Sequence, residues 1–249
     1  MLRTSFLTRY YRIFCIVIHT ITGLIIAAVV LPFVKKNTKL RLIKWWCVGL
    51  LRAFHIKVNP IGELPAANIH GVLFVANHVS WSDIHALNSL IALRFIAKSD
   101  IKSWPVFGYL VTKANTLFID RSKRQTAGKI VETVTASLLA GDNLCFFPEG
   151  TTTDGKQVLP FKSSVLQAAI EAKTVVWPVA IRYINSDGSI NTHMAYAGDT
   201  TMLQSMSAIL NIKNPIVELH FLAPIQALGQ NRRYLTQAAY DAIVAKLAA

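Results

Sequence analysis

Cysteine is scarce in this chain, because only Cys15, Cys47 and Cys145 occur among 249 residues. A disulfide framework or a structural zinc site requires more cysteines at closer spacing. Two of the three lie in apolar, membrane-type sequence, and the third lies in a predicted buried strand. We therefore interpret all three as small hydrophobic side chains, which is typical of a reducing cytoplasmic compartment.

Acidic residues are also few: 13 Asp and Glu stand against 26 Lys and Arg, and the formal net charge is +13. Such an excess draws a protein to an anionic surface, either nucleic acid or the cytoplasmic leaflet of a membrane. The sequence lacks the zinc-finger spacing, the RNP-like aromatic run and the separate basic helix expected of a nucleic-acid-binding protein. A hydrophobic content of 53% and a mean hydropathy of +0.40 favour a membrane instead.

A Gly-x-Ser-x-Gly elbow is missing, and this disfavours a hydrolase of lipid esters. Internal repeats and low-complexity linkers are missing as well. The length allows one good-sized domain and an additional segment. We predict a membrane anchor at 1–55 and a catalytic domain at 56–249.

The predicted anchor contains one long apolar run at 13–34, about long enough to cross a ~30 Å hydrocarbon core as a helix. It ends in Pro32 and lysines and has no small-residue cleavage site, so a retained anchor is predicted rather than a signal peptide. Basic residues follow the run more densely than they precede it, which places the catalytic part in the cytoplasm, at the inner membrane. Because both ends are basic, a re-entrant hairpin is an equal alternative to a spanning helix.

A second apolar stretch at 45–54 is too short to span a bilayer. Its paired tryptophans, Trp45 and Trp46, predict a helix that lies at the membrane interface. The alternative is a buried core helix.

Beyond Pro60, short apolar runs alternate with amphipathic runs, as in strands followed by helices. The predicted strands are 71–76, 94–97, 116–119, 143–147, 174–183 and 216–222. The predicted helices are 83–93, 125–140, 162–172 and 232–248. The segment 185–214 has no clear pattern and is predicted to be a loop of undetermined helical content. This alternation predicts an α/β fold with a central, mostly parallel sheet flanked by helices.

In such sheets ligands bind beyond the carboxyl ends of the strands. Three predicted strands are followed there by polar residues. These are Asn77 and His78, Asp120 and Arg121, and the run Pro148, Glu149, Gly150 and Thr151. We therefore expect the chemistry at this edge of the sheet.

His78 precedes Asp83 by five positions, across a predicted strand-to-helix turn. A histidine of near-neutral pKa can take the proton of a hydroxyl as that hydroxyl attacks a thioester, and a carboxylate behind the imidazole fixes its tautomer. No serine or cysteine nucleophile motif accompanies the pair, so the acceptor hydroxyl itself would attack. On spacing alone, the equal alternative is that Asp83 caps the next helix and His78 packs nearby.

Arg121 is suited to grip a phosphate, with an ion pair to Asp120 as the alternative. Lys98 ends another predicted strand and either adds positive charge to the site or lies in solvent. Glu149 either bonds a substrate hydroxyl or holds its own loop together.

Gly150 would let the backbone approach a ligand closely, and the hydroxyl of Thr151 would hold phosphate or glycerol oxygens. Taken alone, this run is equally an ordinary turn at the end of a strand.

A metal site is not predicted, since His78, Asp83 and His85 have no further cluster of ligating residues beside them. No cofactor is predicted either. The five remaining histidines have no comparable partners in the sequence and receive no role.

These blocks, in this order, resemble the 1-acylglycerol-3-phosphate acyltransferase family of glycerolipid acyltransferases. Asn77, His78 and Asp83 meet its NHxxxxD pattern. The other matching elements are Leu117–Arg121 with Lys98, Pro105 and Gly108 upstream, Phe147–Thr151, and Trp177–Val179. The resemblance covers roughly residues 56–183, and four ordered blocks are far more specific than any one of them.

The resemblance implies an acyl-CoA or acyl-carrier-protein donor and a lysophosphatidic acid acceptor that becomes phosphatidic acid. It implies that His78 is the base and Asp83 its partner. It also implies a set of substrate-binding residues: Asn77, Lys98, Arg121, Glu149, Gly150 and Thr151. A membrane-binding N-terminal segment is typical of the family.

Two departures leave the acceptor open. Thr152 stands where many lysophosphatidic acid enzymes carry arginine, and the family's Phe-Lys-Lys-Gly element is here Phe161–Ser164. The stretch 153–164 is similar to relatives that acylate lyso-ornithine lipid, which has no phosphate, whereas Arg121 favours a phosphate. Another lysophospholipid is a further alternative acceptor. A catalytically silent membrane-binding module is the alternative of another class.

Overall fold

The computed structural model describes residues 4–119 and 126–249. It begins with a helical hairpin formed by α1 (Phe6–Ile25), a π-helical turn (Ile26–Val30) and α2 (Lys36–Ala53). The predicted apolar helix is therefore present, although it begins about two turns before its apolar run. The side chain of Ser5 caps the start of α1 by accepting a hydrogen bond from a backbone amide of the first turn.

The hairpin is followed by an α/β domain. Its strands are β1 (Lys57–Gly62), β2 (Leu73–Ala76), β3 (Arg94–Lys98), β4 (Leu117–Ile119), β5 (Leu144–Phe146), β6 (Val175–Ile184), β7 (Ile216–Phe221) and β8 (Ile225–Gln226). Its helices are α3 (Ser82–Leu90), α4 (Phe107–Lys113), α5 (Thr126–Leu139), α6 (Leu166–Glu171), α7 (Met202–Leu210) and α8 (Arg232–Ala248). Short 3₁₀ turns lie at Ser99–Ser103 and Thr192–Met194.

The strands form one sheet in the order β1-β7-β6-β2-β5-β3-β4, with β8 beside β6. Neighbouring strands are parallel except at the pairs β6–β7 and β6–β8. The predicted α/β class with a mostly parallel sheet is confirmed. Because β2, β3, β4, β5 and β6 run in the same direction, their carboxyl ends meet at one edge of the sheet.

Side chains of β2 alternate between two cores, as the period of a strand requires. Phe74 and Ala76 belong to a cluster that includes residues of α2, α3 and α7. Leu73 and Val75 belong to a second cluster with residues of α5, α6 and α8. Helices therefore cover both faces of the sheet, and the hairpin shares the first core with the domain.

Four elements were absent from the sequence prediction: β1, β8, α4 and α7. The strand β1 contains Pro60 and lies at the edge of the sheet, where a missing N–H is tolerated. Helix α7 lies in the segment predicted as loop, and a capping box between Thr201 and Gln204 starts it.

The predicted interfacial helix at 45–54 is the second half of the longer α2. One of its faces is buried, at Cys47, Leu50 and Leu51, while Trp45 is 50% exposed. The buried face supports the core-helix alternative, and the location of Trp45 at a membrane interface stays a prediction.

Helices α1 and α2 are joined by a reciprocal contact between His19 and Trp46. The imidazole Nε2 of His19 lies 2.8 Å from the carbonyl oxygen of Trp46, and the indole Nε1 of Trp46 donates to the carbonyl of His19 at 3.3 Å. Each ring lies over a glycine of the opposite helix, because a Cβ on Gly23 would overlap Trp46 and a Cβ on Gly49 would overlap His19. The two glycines thus allow the close approach of the helices.

Arg12 fixes the hairpin to the domain. Its side chain is only 1% exposed and donates to the carbonyls of Leu210, Ile212 and Lys213, at and just after the end of α7. It also lies 2.9 Å from Nδ1 of His55. A guanidinium at a helix C-terminus satisfies orphan carbonyls and complements the helix dipole.

We expect Arg12→Leu to lower the free energy of unfolding by about 2–4 kcal/mol, because buried carbonyls lose a charged donor. Thermal unfolding of detergent-solubilised protein measures this. The matched control is Arg9→Leu: Arg9 is half-buried and donates to Asn211 and Ser207, so its loss should cost about 1 kcal/mol or less. Equal costs for the two variants would contradict the anchoring role of Arg12.

Candidate active site

The candidate site is built on the turn between β2 and α3. Asn77, only 2% exposed, donates from its amide to the carbonyl of Ile181 at 2.9 Å and accepts from the amide of Ile181 at 2.7 Å. Both ends of its side chain are thus bound to β6. We predicted Asn77 as a substrate-binding residue, whereas its contacts make it a brace of the turn.

The same turn brings His78 and Asp83 together. Nδ1 of His78 lies 2.8 Å from Oδ2 of Asp83, which also accepts from the amides of Val79 and Ser80 at 2.8 and 2.9 Å. Oδ1 accepts from the hydroxyl of Tyr183 at 2.6 Å. Asp83 is fully buried, so these donors replace the water that would otherwise solvate its charge.

The imidazole of His78 is held on both its face and its edge. It stacks on the ring of Phe147 with centroids 3.8 Å apart and an interplanar angle of 7°. With Nδ1 directed to Asp83, Nε2 is the nitrogen left to accept a proton. The side chain keeps 18% of its surface exposed and lines a cavity, so it is accessible to a substrate.

Glu149 lies behind this turn. Its Oε1 accepts from the amide of His78 at 2.7 Å and its Oε2 accepts from the amide of Leu159 at 2.8 Å. The carboxyl is 4% exposed, and burial raises its pKa. Of the two roles that the sequence allowed for Glu149, these contacts support the loop brace and do not support a bond to substrate.

The loop after β5 also meets the catalytic turn directly. The amide of Thr153 donates to the carbonyl of His78 at 2.9 Å. Gly150 has a φ of +75°, a left-handed conformation that favours glycine, and both it and Thr151 line the cavity. Thr152 donates its hydroxyl to the carbonyl of Tyr196, which lines the same cavity.

The cavity measures about 500 Å³ and is lined mainly by apolar side chains. Its polar end contains His78, Lys98 and Gly150–Thr152. Ala114 and Thr116, which precede β4, also line it, and they lie at the amino edge of the parallel sheet. The cavity therefore follows the length of β3, about 16 Å at ~3.3 Å per residue.

The hairpin supplies one wall of this cavity. The contributing side chains come from both helices and the turn between them: Gly23, Ile26, Ala27, Leu31, Leu42, Ile43, Trp46 and Cys47. A segment predicted only as an anchor is thus also part of the site.

The structure places the other predicted residues as follows. Lys98 is exposed at the mouth of the cavity. Arg121 lies outside the described residues.

His85 lines the cavity with Nδ1 3.2 Å from the carbonyl of Trp81, and burial lowers its pKa to about 4, so it is neutral. Within 4–119 and 126–249, no group of three His, Cys, Asp or Glu side chains is arranged to hold a metal ion.

Two site residues were missed by sequence reasoning. Tyr183 lies near the end of a long apolar strand. The only clue in the sequence was the presence of a hydroxyl-bearing side chain at the end of an otherwise apolar run. Tyr196 lies in the unpatterned segment and reaches the site because its amide donates to the carbonyl of Val79.

A His–Asp pair that faces a deep apolar cavity at the carboxyl edge of an α/β sheet fits acyl transfer to a hydroxyl. The Acyltransferase family model matches residues 55–182, and the chain belongs to this family.

Curated relatives agree with this assignment. A lyso-ornithine lipid O-acyltransferase of Pseudomonas aeruginosa is 36% identical, over 82% of this chain and 77% of the relative. A 1-acyl-sn-glycerol-3-phosphate acyltransferase of Neisseria meningitidis serogroup B is 37% identical, over 75% of this chain and 72% of the relative. The chain is thus an O-acyltransferase, similar to enzymes with two different acceptors.

The fold is shared with a solved structure. The crystal structure of the 1-acyl-sn-glycerophosphate (LPA) acyltransferase, PlsC, from Thermotoga maritima matches with a TM-score of 0.69 and 21% identity. The match covers 98% of this chain and 96% of that one, so it includes the hairpin.

We expect Glu149→Gln to lower both stability and turnover. An amide group offers one acceptor oxygen, so one of the two backbone N–H donors would lose its partner, at about 1–3 kcal/mol. Because Glu149 lies behind the turn, kcat should fall while KM changes little. Thermal unfolding and initial rates measure this, with Glu132→Gln on the exposed face of α5 as control. A raised acceptor KM at unchanged stability would restore the substrate-binding role.

Proposed function

We propose that this chain is a 1-acyl-sn-glycerol-3-phosphate O-acyltransferase. It transfers a fatty acyl chain from acyl-CoA or acyl carrier protein to lysophosphatidic acid and forms phosphatidic acid. The observation that carries this proposal is the apolar cavity of about 500 Å³ that ends at the His78–Asp83 pair.

The reaction proceeds as a single displacement. Nε2 of His78 takes the proton of the acceptor hydroxyl as its oxygen attacks the thioester carbonyl. The C–S bond then breaks, and the departing thiolate takes the proton from the imidazolium. Asp83 stays ionised throughout and stabilises the imidazolium through Nδ1.

The cavity supports a long-chain acyl donor. It runs from the base toward the amino edge of the sheet, and its lining is largely apolar, so burial of the chain is favourable at ~0.8 kcal/mol per CH₂. The thioester carbon would then lie at the polar end, beside His78 and the loop Gly150–Thr152.

The hairpin supports attachment to one leaflet rather than a spanning helix. Phe6–Val30 is the one helix in the described part of the chain that is long and apolar enough to cross a membrane, and only 17% of its apolar 18-residue window is buried. Yet the residues that flank this helix on either side are held to the domain. At one end Thr4 donates to the carbonyl of Asn211, and at the other Lys36, which starts α2, lies 2.5 Å from Asp142.

A helix whose flanking residues are both fixed to the domain can lie along the bilayer surface and present its exposed apolar face to lipid. The large apolar side chains on that face include Phe14, Val17, Ile21, Ile25 and Val29. We therefore infer that the hairpin lies in the cytoplasmic leaflet of the inner membrane, with the catalytic domain facing the cytoplasm.

Lyso-ornithine lipid is the alternative acceptor, and one contact favours it. Thr152 replaces an arginine frequent in lysophosphatidic acid enzymes, and its hydroxyl is bound to the carbonyl of Tyr196. This position therefore supplies no positive charge for a phosphate. Lys98 at the mouth, together with the predicted role of Arg121, supports the phosphate-bearing acceptor.

Acyl transfer by purified protein tests the proposal. Labelled palmitoyl-CoA and palmitoyl-acyl carrier protein are each offered with lysophosphatidic acid or lyso-ornithine lipid. Phosphatidic acid is the expected main product. His78→Ala should lower turnover by about a hundredfold to ten-thousandfold, because the base is lost.

The control is His193→Ala, which removes an exposed histidine and should leave the rate unchanged. If acylated ornithine lipid is the main product, the proposed acceptor is lyso-ornithine lipid instead of lysophosphatidic acid. Near-normal turnover of a folded His78→Ala protein would contradict the mechanism. If neither lipid is acylated, the alternatives of another lysophospholipid acceptor and of a binding module are reopened.

Ala114→Phe should shift the preference toward shorter acyl chains. Ala114 lines the end of the cavity away from His78, so a ring there would occupy the place of the terminal methylenes. The rate ratio of palmitoyl-CoA to lauroyl-CoA should fall about tenfold, as expected from the loss of roughly two buried CH₂ groups. Competition between the two donors measures it, with Ala136→Phe on the exposed face of α5 as control. An unchanged rate ratio would indicate that the acyl chain does not occupy this end of the cavity.

A further inference from the structure

A row of buried hydroxyls extends from the carboxylate of Asp83 into the core. The hydroxyl of Tyr183 lies 2.6 Å from Oδ1 of Asp83 and 2.7 Å from Oγ of Ser82. Oγ of Ser82 lies 3.1 Å from Oγ of Ser80. These four residues are almost completely inaccessible to solvent.

The two oxygens of Asp83 have different partners. Oδ2 is bound by His78 and by two backbone amides, all of which belong to the turn that carries the pair. Oδ1 is bound by Tyr183, which lies on β6 and is distant in sequence. Tyr183 is therefore the contact that ties the carboxylate to the sheet.

Tyr183 donates this hydrogen bond at every pH at which the protein works. Its pKa is raised well above the usual value by burial and by the charge of Asp83, so the phenol keeps its proton. A short donor bond to an anion is among the strong hydrogen bonds of proteins, and it stabilises the ionised form.

We propose that Tyr183 is a positioning residue for the acyl transfer, which holds Asp83 ionised and oriented toward His78 and thereby sets the pH above which the pair is active. The inference rests on the proposed function, since the pair is the base of that reaction. Tyr183 itself is buried beneath the pair and does not touch the substrate.

Other titratable groups near Asp83 do not supply this effect. His85 is neutral above its lowered pKa of about 4, and the thiol of Cys145 stays protonated because burial raises its pKa. Glu149 is a second carboxyl beside the pair, and its charge opposes that of Asp83. Tyr183 is thus the one side chain besides His78 that donates to Asp83 in the described structure.

Tyr183→Phe removes the donor and keeps the ring. The carboxylate then attracts a proton more strongly, whether that proton resides on Asp83 or on His78. The acid limb of the kcat–pH profile should therefore move to higher pH by about one pH unit or more. Turnover near pH 7 should fall about tenfold, with a smaller loss near pH 9, and the KM of both substrates should stay unchanged.

Two controls separate this effect from a packing defect. Tyr240→Phe removes another half-buried tyrosine hydroxyl, one bound to the carbonyl of Val158, and should leave the acid limb in place. In the Asp83→Asn background, Tyr183→Phe should change the residual rate by less than about twofold, because the carboxylate it stabilises is gone.

A second substitution should shift the acid limb in the opposite direction, so the test does not depend on the stability of the Tyr183→Phe variant. 3-Fluorotyrosine at position 183 retains the ring and the proton but is a stronger donor. The acid limb should then move to lower pH.

A second readout does not depend on turnover. The imidazole of His78, followed by NMR in ¹⁵N-histidine-labelled protein, should titrate at higher pH in Tyr183→Phe than in the parent protein. If the parent protein has no transferase activity, the proposed function is contradicted. The NMR titration would still test whether Tyr183 acts on the His78–Asp83 pair. An acid limb and an imidazole titration that do not move in Tyr183→Phe would overturn the inference, even if kcat falls.

Discussion

The catalytic turn depends on the burial of one negative charge, the carboxylate of Asp83. A buried ion is costly unless hydrogen bonds replace its hydration, and four donors do so here: His78, two amides of the turn, and Tyr183. The donors come from the turn and from β6, so the charge is satisfied only when both are in place. Asn77 and Glu149 brace the same turn against β6 and against the loop after β5. The base is thus held by the same contacts that pack the domain.

The second constraint is the position of the cavity, which lies between the sheet and the hairpin. Small residues of the hairpin, such as Gly23 and Ala27, line it, and the reciprocal contact of His19 and Trp46 holds the two helices at a fixed distance. Arg12 joins α1 to the end of α7. The element that carries the exposed apolar face for lipid is therefore also a wall of the substrate cavity. The proposed attachment to the bilayer and the proposed binding of the acyl chain thus depend on the same hairpin.

Sequence patterns predicted those parts of the molecule that local forces determine. The central strands and α8 follow from the periodicity of apolar residues, and the approach of His78 to Asp83 follows from a short turn between a strand and a helix. Tyr183 and Tyr196 depend instead on contacts with the catalytic turn about a hundred or more positions away, and the second role of the hairpin depends on its packing against distant elements. No local pattern contains such contacts. Arg12 illustrates the difference: in sequence it is one of several basic residues that flank an apolar run, whereas in the structure it is a buried cap of α7.

The His78–Asp83 pair by itself cannot distinguish between the two acceptors, so other residues have to do so. Lysophosphatidic acid and lyso-ornithine lipid both offer a hydroxyl to Nε2 of His78, and they differ in the charge of the head group. In the proposed function, candidates for sensing that difference are Lys98 and Thr152, which line the cavity. Thr152 is bound to the carbonyl of Tyr196, and the amide of Tyr196 is bound to the carbonyl of Val79 in the catalytic turn. An arginine at position 152 would add a positive charge and would also remove one of the bonds that hold the Tyr196 loop. In the proposed function, a change of acceptor would therefore alter the charge at the head group and the placement of this loop together.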